Sequence, residues 1–265
     1  MDSDSDLTPS PLLGPDEPPA FELVNAHGRG NAVLVCDHAA NRVPHRLGNL
    51  GLDAVQLADH IGWDPGAAAV ARHLSAQLDA PLVLSAYSRL VIDCNRPLRS
   101  AESIPQQSAG VVVPGNHGLS PAQQESRVHA LFRPYHEAIE QVLDARLPRP
   151  SFLLSIHSFT PIWNGQPRPW HIGVSAWRDQ RLAALLLDAL NQAGDVIVGD
   201  NQPYPIEAEF DYTVPVHGEA RGLPSVMLEI RQDGLRTAAD VARWATRVAQ
   251  AFRLIETRAL GLFGV

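Results

Sequence analysis

Short apolar runs bounded by turn residues alternate with longer segments of helical spacing along most of this chain. The run Ala-Val-Leu-Val-Cys at 32–36 predicts a strand buried on both faces, and residues 65–79, with Val70, Leu74 and Leu78 four apart, predict a helix after it. Residues 82–86 return the chain as a second strand, and 90–92 form another short apolar run. Ser120 suits an N-cap ahead of Pro121, opening a helical pattern over 121–147 that Pro134 should kink or divide. Strands at 152–156 and 172–176, a helix over 179–193, strands at 196–198 and 226–230, and a closing helix from Thr237 to about Leu260 complete the series. Such alternation predicts one α/β domain with a mixed, mostly parallel sheet and helices on both faces.

The first twenty residues break this pattern. They are acidic and rich in proline, and they read as a disordered head ahead of a catalytic domain spanning 21–265. With 45% hydrophobic residues the remainder can fill a sizeable core. A net charge of −8, with no block of Lys or Arg, argues against a nucleic-acid partner. No apolar run approaches the ~18–20 residues of a spanning helix, so no membrane partner is expected. Cys36 and Cys94 lie in apolar segments without a C-x-x-C pair and read as small buried hydrophobes, and the chain opens without a basic and apolar leader. A reducing cytoplasm is the expected location.

Chemistry gathers where the apolar runs end. Residues 31–41 deliver Asp37, His38 and Asn41, and residues 151–161 deliver His157 between Ser155 and Ser158. Glu229 interrupts an otherwise apolar strand, where an ionised carboxylate is costly unless paired or functional. In open α/β sheets ligands collect beyond the carboxyl ends of the strands, the rim that would hold His38, His157, Glu229 and the arginines Arg89 and Arg96. Two imidazoles and a carboxylate suit a zinc site with an open position for water, whose pKa falls to roughly 7 there. No H-E-x-x-H helix is present, so such ligands would come from separate strands and loops.

Asp37-His-Ala-Ala-Asn-Arg-Val-Pro44, His60-Ile-Gly-Trp-Asp-Pro-Gly66, Tyr87-Ser-Arg-Leu-Val-Ile-Asp-Cys-Asn-Arg-Pro97, Ser155-Ile-His-Ser-Phe-Thr-Pro161 and Glu229-Ile-Arg-Gln-Asp233 resemble the N-formylglutamate amidohydrolase family from about residue 22 onward. The resemblance implies a fold like that of the zinc carboxypeptidases, one zinc ion, and hydrolysis of a small N-acyl derivative of an acidic amino acid. It assigns His38 and His157 to the metal, Arg89, Asn95 and Arg96 to the substrate, and Glu229 to proton transfer as general base. Where carboxypeptidases have H-x-x-E, this chain has Asn41, a poor zinc ligand. The acidic ligand is therefore expected to be Asp64, with Asp37 in reserve, since neighbours on an extended segment point to opposite faces.

Each candidate has a plainer reading. Asp64 before Pro65 also suits an N-cap, and Glu229 also suits a pair with Arg231 or Arg221. His217, in a Gly-rich loop, and Tyr212 are candidates to donate to a developing oxyanion, against a solvated or merely packed role. His60 reads as structural, and the loop 201–205 as either a sheet cap or a pocket wall. Two other functions compete with the zinc hydrolase: an amino-acid-binding protein on the same fold, and a metal-free Ser-His hydrolase using Ser155 or Ser158.

Overall fold

The computed structural model describes residues 11–263. Seven strands form the main sheet: β1 (Phe21–Val24), β2 (Ala32–Cys36), β3 (Leu82–Ser85), β4 (Phe152–Phe159), β5 (Ile172–Ser175), β6 (Val198–Asp200) and β7 (Ser225–Arg231). Their order is β1-β3-β2-β4-β7-β5-β6. The central block β3-β2-β4-β7 is parallel, β1 adds antiparallel to β3, β5 runs antiparallel to β7, and β6 is parallel to β5. The mixed, mostly parallel sheet expected from the alternation is thus observed.

Among the described residues six α-helices accompany the sheet; the two shortest are α1 (Ala54–Ala58) and α3 (Pro121–Arg127), and the longer four cover both faces. Leu34 and Leu154 point toward α2 (Ala67–Leu78), α5 (Arg181–Asn191) and α6 (Ala238–Leu260), with which they share the larger core. Val33, Val35 and Leu153 point the other way, onto α4 (Arg133–Asp144). The period of two along each strand therefore sends Ser155 and His157 to the α4 side, together with Leu153. The same alternation in β7 sends Val226, Leu228 and Ile230 into the α5/α6 core and puts Glu229 on the opposite face.

Pro134 divides its helical region as expected. Residues Pro121–Arg127 and Arg133–Asp144 are α-helical, and Val128–Phe132 between them make a π-helical turn. Proline lacks the N–H for the regular ladder, and a widened turn accommodates the gap. Ser120 caps the first segment through a reciprocal pair with Gln123. Thr237 and Asp240 do the same for α6. Thr237→Ala should therefore lower stability by about 1 kcal/mol, read as a shift in the urea midpoint with an unchanged slope.

The apolar run 90–92 forms a buried turn, filling a smaller core with Ile61 and Phe132. Three expectations need correction. Strand β4 continues through Phe159, so His157 lies within it and not past its end. The helix expected over 65–79 begins at Ala67, with Gly66 as its N-cap at φ 85°. A Cβ there would lie 2.6 Å from Leu235 Cβ, so the left-handed turn requires glycine. The third concerns the head. Residues 1–10 lie outside the described residues, but 11–20 pack onto the domain: Leu12 and Ala20 join the smaller core, and the Tyr87 hydroxyl donates to Pro18 O at 2.7 Å. Their few apolar side chains find a preformed surface, which their composition does not reveal. Among the described residues no helix is long and apolar enough to cross a membrane.

Candidate metal centre and substrate pocket

His38 stands two residues beyond β2, and its carbonyl accepts a hydrogen bond from Asp64 N at 3.0 Å. This pins the loop before α2 against the strand end. With Gly66 making the turn into the helix, the Asp64 carboxylate does not cap α2 and reaches the two histidines. Its Oδ2 lies 3.3 Å from His38 Nδ1 and 2.8 Å from His157 Nδ1. One atom from each of the three residues falls within 4.8 Å of the others, and all three residues are buried. Glu229 is the register partner of His157 on β7, so the sheet itself sets it beside this cluster.

Each histidine is held from behind by a second carboxylate. His38 Nε2 meets Asp93 Oδ1 at 2.7 Å, and His157 Nε2 meets Asp37 Oδ2 at 3.0 Å. A proton on Nε2 directed to the carboxylate leaves an Nδ1 lone pair facing inward, the arrangement that orients metal-binding imidazoles. Asp37 also accepts from the Tyr135 hydroxyl at 2.9 Å, Thr213 Oγ1 at 2.6 Å and Ser155 Oγ at 2.9 Å. It is therefore committed behind His157, while Asp64 faces the gap between the rings. Asn41, at the place of the missing glutamate, donates to Leu57 O at 3.1 Å.

The donor set fits a divalent cation on charge as well as geometry. Burial pushes the Asp37 and Asp64 pKa values up, but hydrogen bonds and charge from His157 and His38 outweigh it and hold both below the ordinary range. Asp93 is likewise held low against burial, by Arg89 and His38. The two histidines are raised despite burial, because carboxylates surround them. In the metal-free protein, imidazolium charge answers a need that a cation would otherwise meet. Glu229 differs: burial raises its pKa from 4.5 to about 7, and its Oε2 is sealed with no hydrogen-bond partner.

These shifts fix a sign for stability. Groups raised in the folded state, namely Glu229, His38 and His157, stabilise at low pH and lose that contribution as pH climbs through their folded values. For Glu229 the loss runs from pH 4.5 to about 7. Asp37, Asp64 and Asp93, lowered from 3.8, lose their contribution as the solution becomes more acid than that. The melting midpoint of chelated protein should therefore fall between pH 5 and 7, with a shallower fall in Glu229→Gln.

The cluster opens into a cavity of about 800 Å³ lined by His38, Asp64, Arg89, Arg96, His157 and Glu229, among others. Arg89 grips Asp93 Oδ2 through Nε at 3.0 Å and Nη2 at 2.7 Å. Arg96 reaches Glu102 at 3.1 Å and Asp211 at 3.3 Å. Asn95 also lines the cavity, but its side chain holds the distant loop 211–213: Nδ2 donates to Asp211, and Oδ1 accepts from the Tyr212 and Thr213 amides. His60, read as structural, lies on the cavity wall near Trp163.

Two candidates for oxyanion donation fall elsewhere. His217 does not line the cavity; its Nε2 meets His136 Nδ1 at 2.9 Å, and His136 Nε2 meets Cys94 O at 2.9 Å. Since a carbonyl only accepts, His136 carries its proton on Nε2, and His217 must donate from its own Nε2. Burial lowers the His217 pKa to about 4, which leaves its Nδ1 a bare, unpartnered acceptor. Tyr212 also lies off the cavity lining, with its ring against Phe132 and His136. Ser155 Oγ donates to Asp37 and also meets His157 Nε2 at 3.0 Å, but Ser155 does not line the cavity; Ser158, which does, donates its hydroxyl to Pro65 O. Asp93 is a further cavity residue beyond the candidates above, and the loop 201–205 forms part of the cavity wall through Tyr204. Asp93 does carry a signal in the sequence: it directly follows the apolar run 90–92, as His157 follows the run 152–156.

An open α/β sheet with two histidines and a carboxylate converging at the carboxyl ends of its strands defines a candidate metal-dependent hydrolase. The chain belongs to the N-formylglutamate amidohydrolase family, whose model matches residues 30–236. That family makes it an amidohydrolase of N-formylglutamate-like substrates. A gene product of Agrobacterium tumefaciens of known crystal structure is 36% identical, with a TM-score of 0.88 over 92% of this chain and 99% of that one. N-formylglutamate amidohydrolase from Ralstonia eutropha shares the fold at 18% identity and a TM-score of 0.65, over 90% of this chain and 97% of that one. A metallo-carboxypeptidase from Pseudomonas aeruginosa matches at 13% identity with a TM-score of 0.47, over 90% of this chain and 61% of that one. Comparison with curated protein sequences finds no match.

Proposed function

We propose that the protein uses one zinc ion, held by His38, Asp64 and His157, to hydrolyse the N-formyl or a related N-acyl group from an acidic amino acid such as N-formylglutamate. The observation that carries this reading is the convergence of two Nδ1 atoms and one carboxylate oxygen beside a buried, unpartnered glutamate. A zinc ion there supplies Lewis-acid polarisation of the acyl oxygen and acidifies water. Glu229 accepts the proton of the attacking water and returns it to the departing amine. Arg89 and Arg96 face the cavity with planar guanidinium groups that can meet the substrate carboxylate next to the scissile bond, and Asp93 and Asp211 fix their orientation. Asp37 and Asp93 keep the imidazoles in the ligating tautomer.

The test is elemental analysis of protein purified without added metal, followed by an N-formylglutamate assay before and after chelation. We expect about one zinc per chain, activity abolished by chelator, and activity restored by zinc. Full activity in metal-free protein overturns the mechanism. Tight binding of amino acids without turnover of any N-formyl, N-acetyl or N-carbamoyl derivative would instead make it a binding protein. Thr213→Val removes one donor to Asp37 and nothing from the cavity. We expect zinc affinity to fall toward the roughly 10–100-fold range of a lost supporting partner, read by chelator competition.

A further inference from the structure

A second cavity, of about 300 Å³, lies at the end of β7 and shares no lining residue with the substrate pocket. Its walls come from three elements: His171 just before β5, Arg231 and Gly234 at and after the end of β7, and Arg243, Trp244 and Arg247 on α6. Since β5 runs antiparallel to β7, the start of one strand and the finish of the other meet at the same end of the sheet. Trp244 distinguishes this recess from ordinary surface. It is only 7% exposed, and a buried indole N–H ordinarily finds an acceptor. Among the described residues Trp244 Nε1 has none, yet it is not sealed inside the protein. The small uncovered part of Trp244 therefore includes that nitrogen, and it opens into the cavity. Gly234 keeps it uncovered, because a Cβ there would lie 2.8 Å from Nε1.

The groups around this N–H are donors as well. Ile197 N donates to His171 Nδ1 at 2.9 Å, which puts the ring proton on Nε2, and that N–H has no partner among the described residues. Arg231 donates through Nε to Asp233 at 2.8 Å and through Nη1 to the carbonyls of residues 168–170, the shortest at 2.9 Å, which leaves Nη2 unengaged. Arg243 uses Nη2 alone, on Asp240 at 2.7 Å. Arg247 holds Asp195 with both terminal nitrogens, its guanidinium carbon 5.6 Å from the centre of the Trp244 ring. The lining carboxylates Asp195 and Asp233 are thus each engaged by an arginine, and the groups left over are mainly N–H donors. Donors arriving from three elements call for an acceptor with several oxygens. A carboxylate offers two in one plane, whereas a phosphoryl group spreads three or more tetrahedrally and suits guanidinium forks. The cavity is several times the roughly 30 Å³ share of one water, room for such a group.

We propose that this second cavity binds a phosphoryl group, of inorganic phosphate or of a small phosphorylated metabolite, with the Trp244 indole N–H donating to it and Arg231 and Arg243 supplying the opposing charge. The site is independent of the amidohydrolase reading. The chain has five tryptophans, so the indole N–H signals in the nuclear magnetic resonance spectrum of isotope-labelled protein are few, and the one lost in Trp244→Phe belongs to Trp244. Titrating inorganic phosphate into the full chain at constant ionic strength should move that signal along a saturating curve. Arg243→Gln, a change at an exposed helix position, should raise the phosphate needed about tenfold, while Arg96→Gln, in the substrate pocket, should leave the curve in place. Glycerol 3-phosphate distinguishes the two sources: saturation at a lower concentration than phosphate marks an organic phosphate as the occupant, and at a higher one inorganic phosphate. A Trp244 signal that stays fixed, that moves without saturating, or that acetate moves at the same concentrations overturns the proposal. An Arg243→Gln curve equal to wild type, or one displaced by Arg96→Gln, does the same.

Discussion

Glu229→Gln should lower kcat by roughly 10²–10⁴-fold, the range for a lost general base, while zinc content and glutamate affinity stay within about threefold of wild type. The substitution is nearly isosteric, and Glu229 Oε2 has no partner to lose. The amide keeps the shape and removes the carboxylate proposed to carry the proton. Its pKa, raised to about 7 by burial in the metal-free protein, falls when a divalent cation binds nearby, so the acid limb of kcat/KM should lie below neutrality. That limb should vanish in the residual activity of the variant. A variant with wild-type turnover, or one whose pH profile keeps the limb, would show that another group moves the proton.

The second large effect is expected at Asp64. Asp64→Asn should weaken zinc binding by more than the roughly 10–100-fold that loss of a supporting carboxylate costs. Asp37→Asn, acting only through the His157 ring, should fall within that range. Chelator competition on the two variants compares them directly. Equal affinities, or a larger loss at Asp37, would reverse the assignment of the acidic ligand. The geometry favours Asp64 because its carboxylate faces both Nδ1 atoms, whereas Asp37 is enclosed by Tyr135, Ser155 and Thr213.

The residues most legible in the sequence are those whose surroundings are set by the strand they occupy. The run 32–36 is buried along its whole length, and an unbroken apolar run is what a central parallel strand requires. The edge strand Phe21–Val24 has an exposed middle and was not anticipated. Glu229 announced itself by breaking an apolar pattern, and His157 by following one. Asp64 was ambiguous because ligand and helix cap share the same local chemistry. The left-handed Gly66, a tertiary requirement imposed by Leu235, starts the helix later. His217 was misplaced because a histidine in a glycine-rich loop carries no information about which way its ring turns; its partner His136 lies 81 residues away. Asp93 and Tyr204 reach the cavity through turns whose direction no periodicity records.

The pairing of His157 with Glu229 across β4 and β7 separates two kinds of change open to this scaffold. Glu229 and a histidine of the candidate metal cluster are spaced by backbone hydrogen bonds between adjacent central strands, among the last parts of such a domain to loosen. The cavity wall is built largely of connections: the hairpin after β4 and the loop bearing Tyr204. A one-residue slip between the central strands would turn either group to the wrong face of the sheet, but the connections can lengthen, shorten or change composition without moving it. Relatives that accept different acyl groups or amino acids should therefore differ around positions 160–168 and 201–211, while the spacing from β4 to β7 stays fixed in all of them.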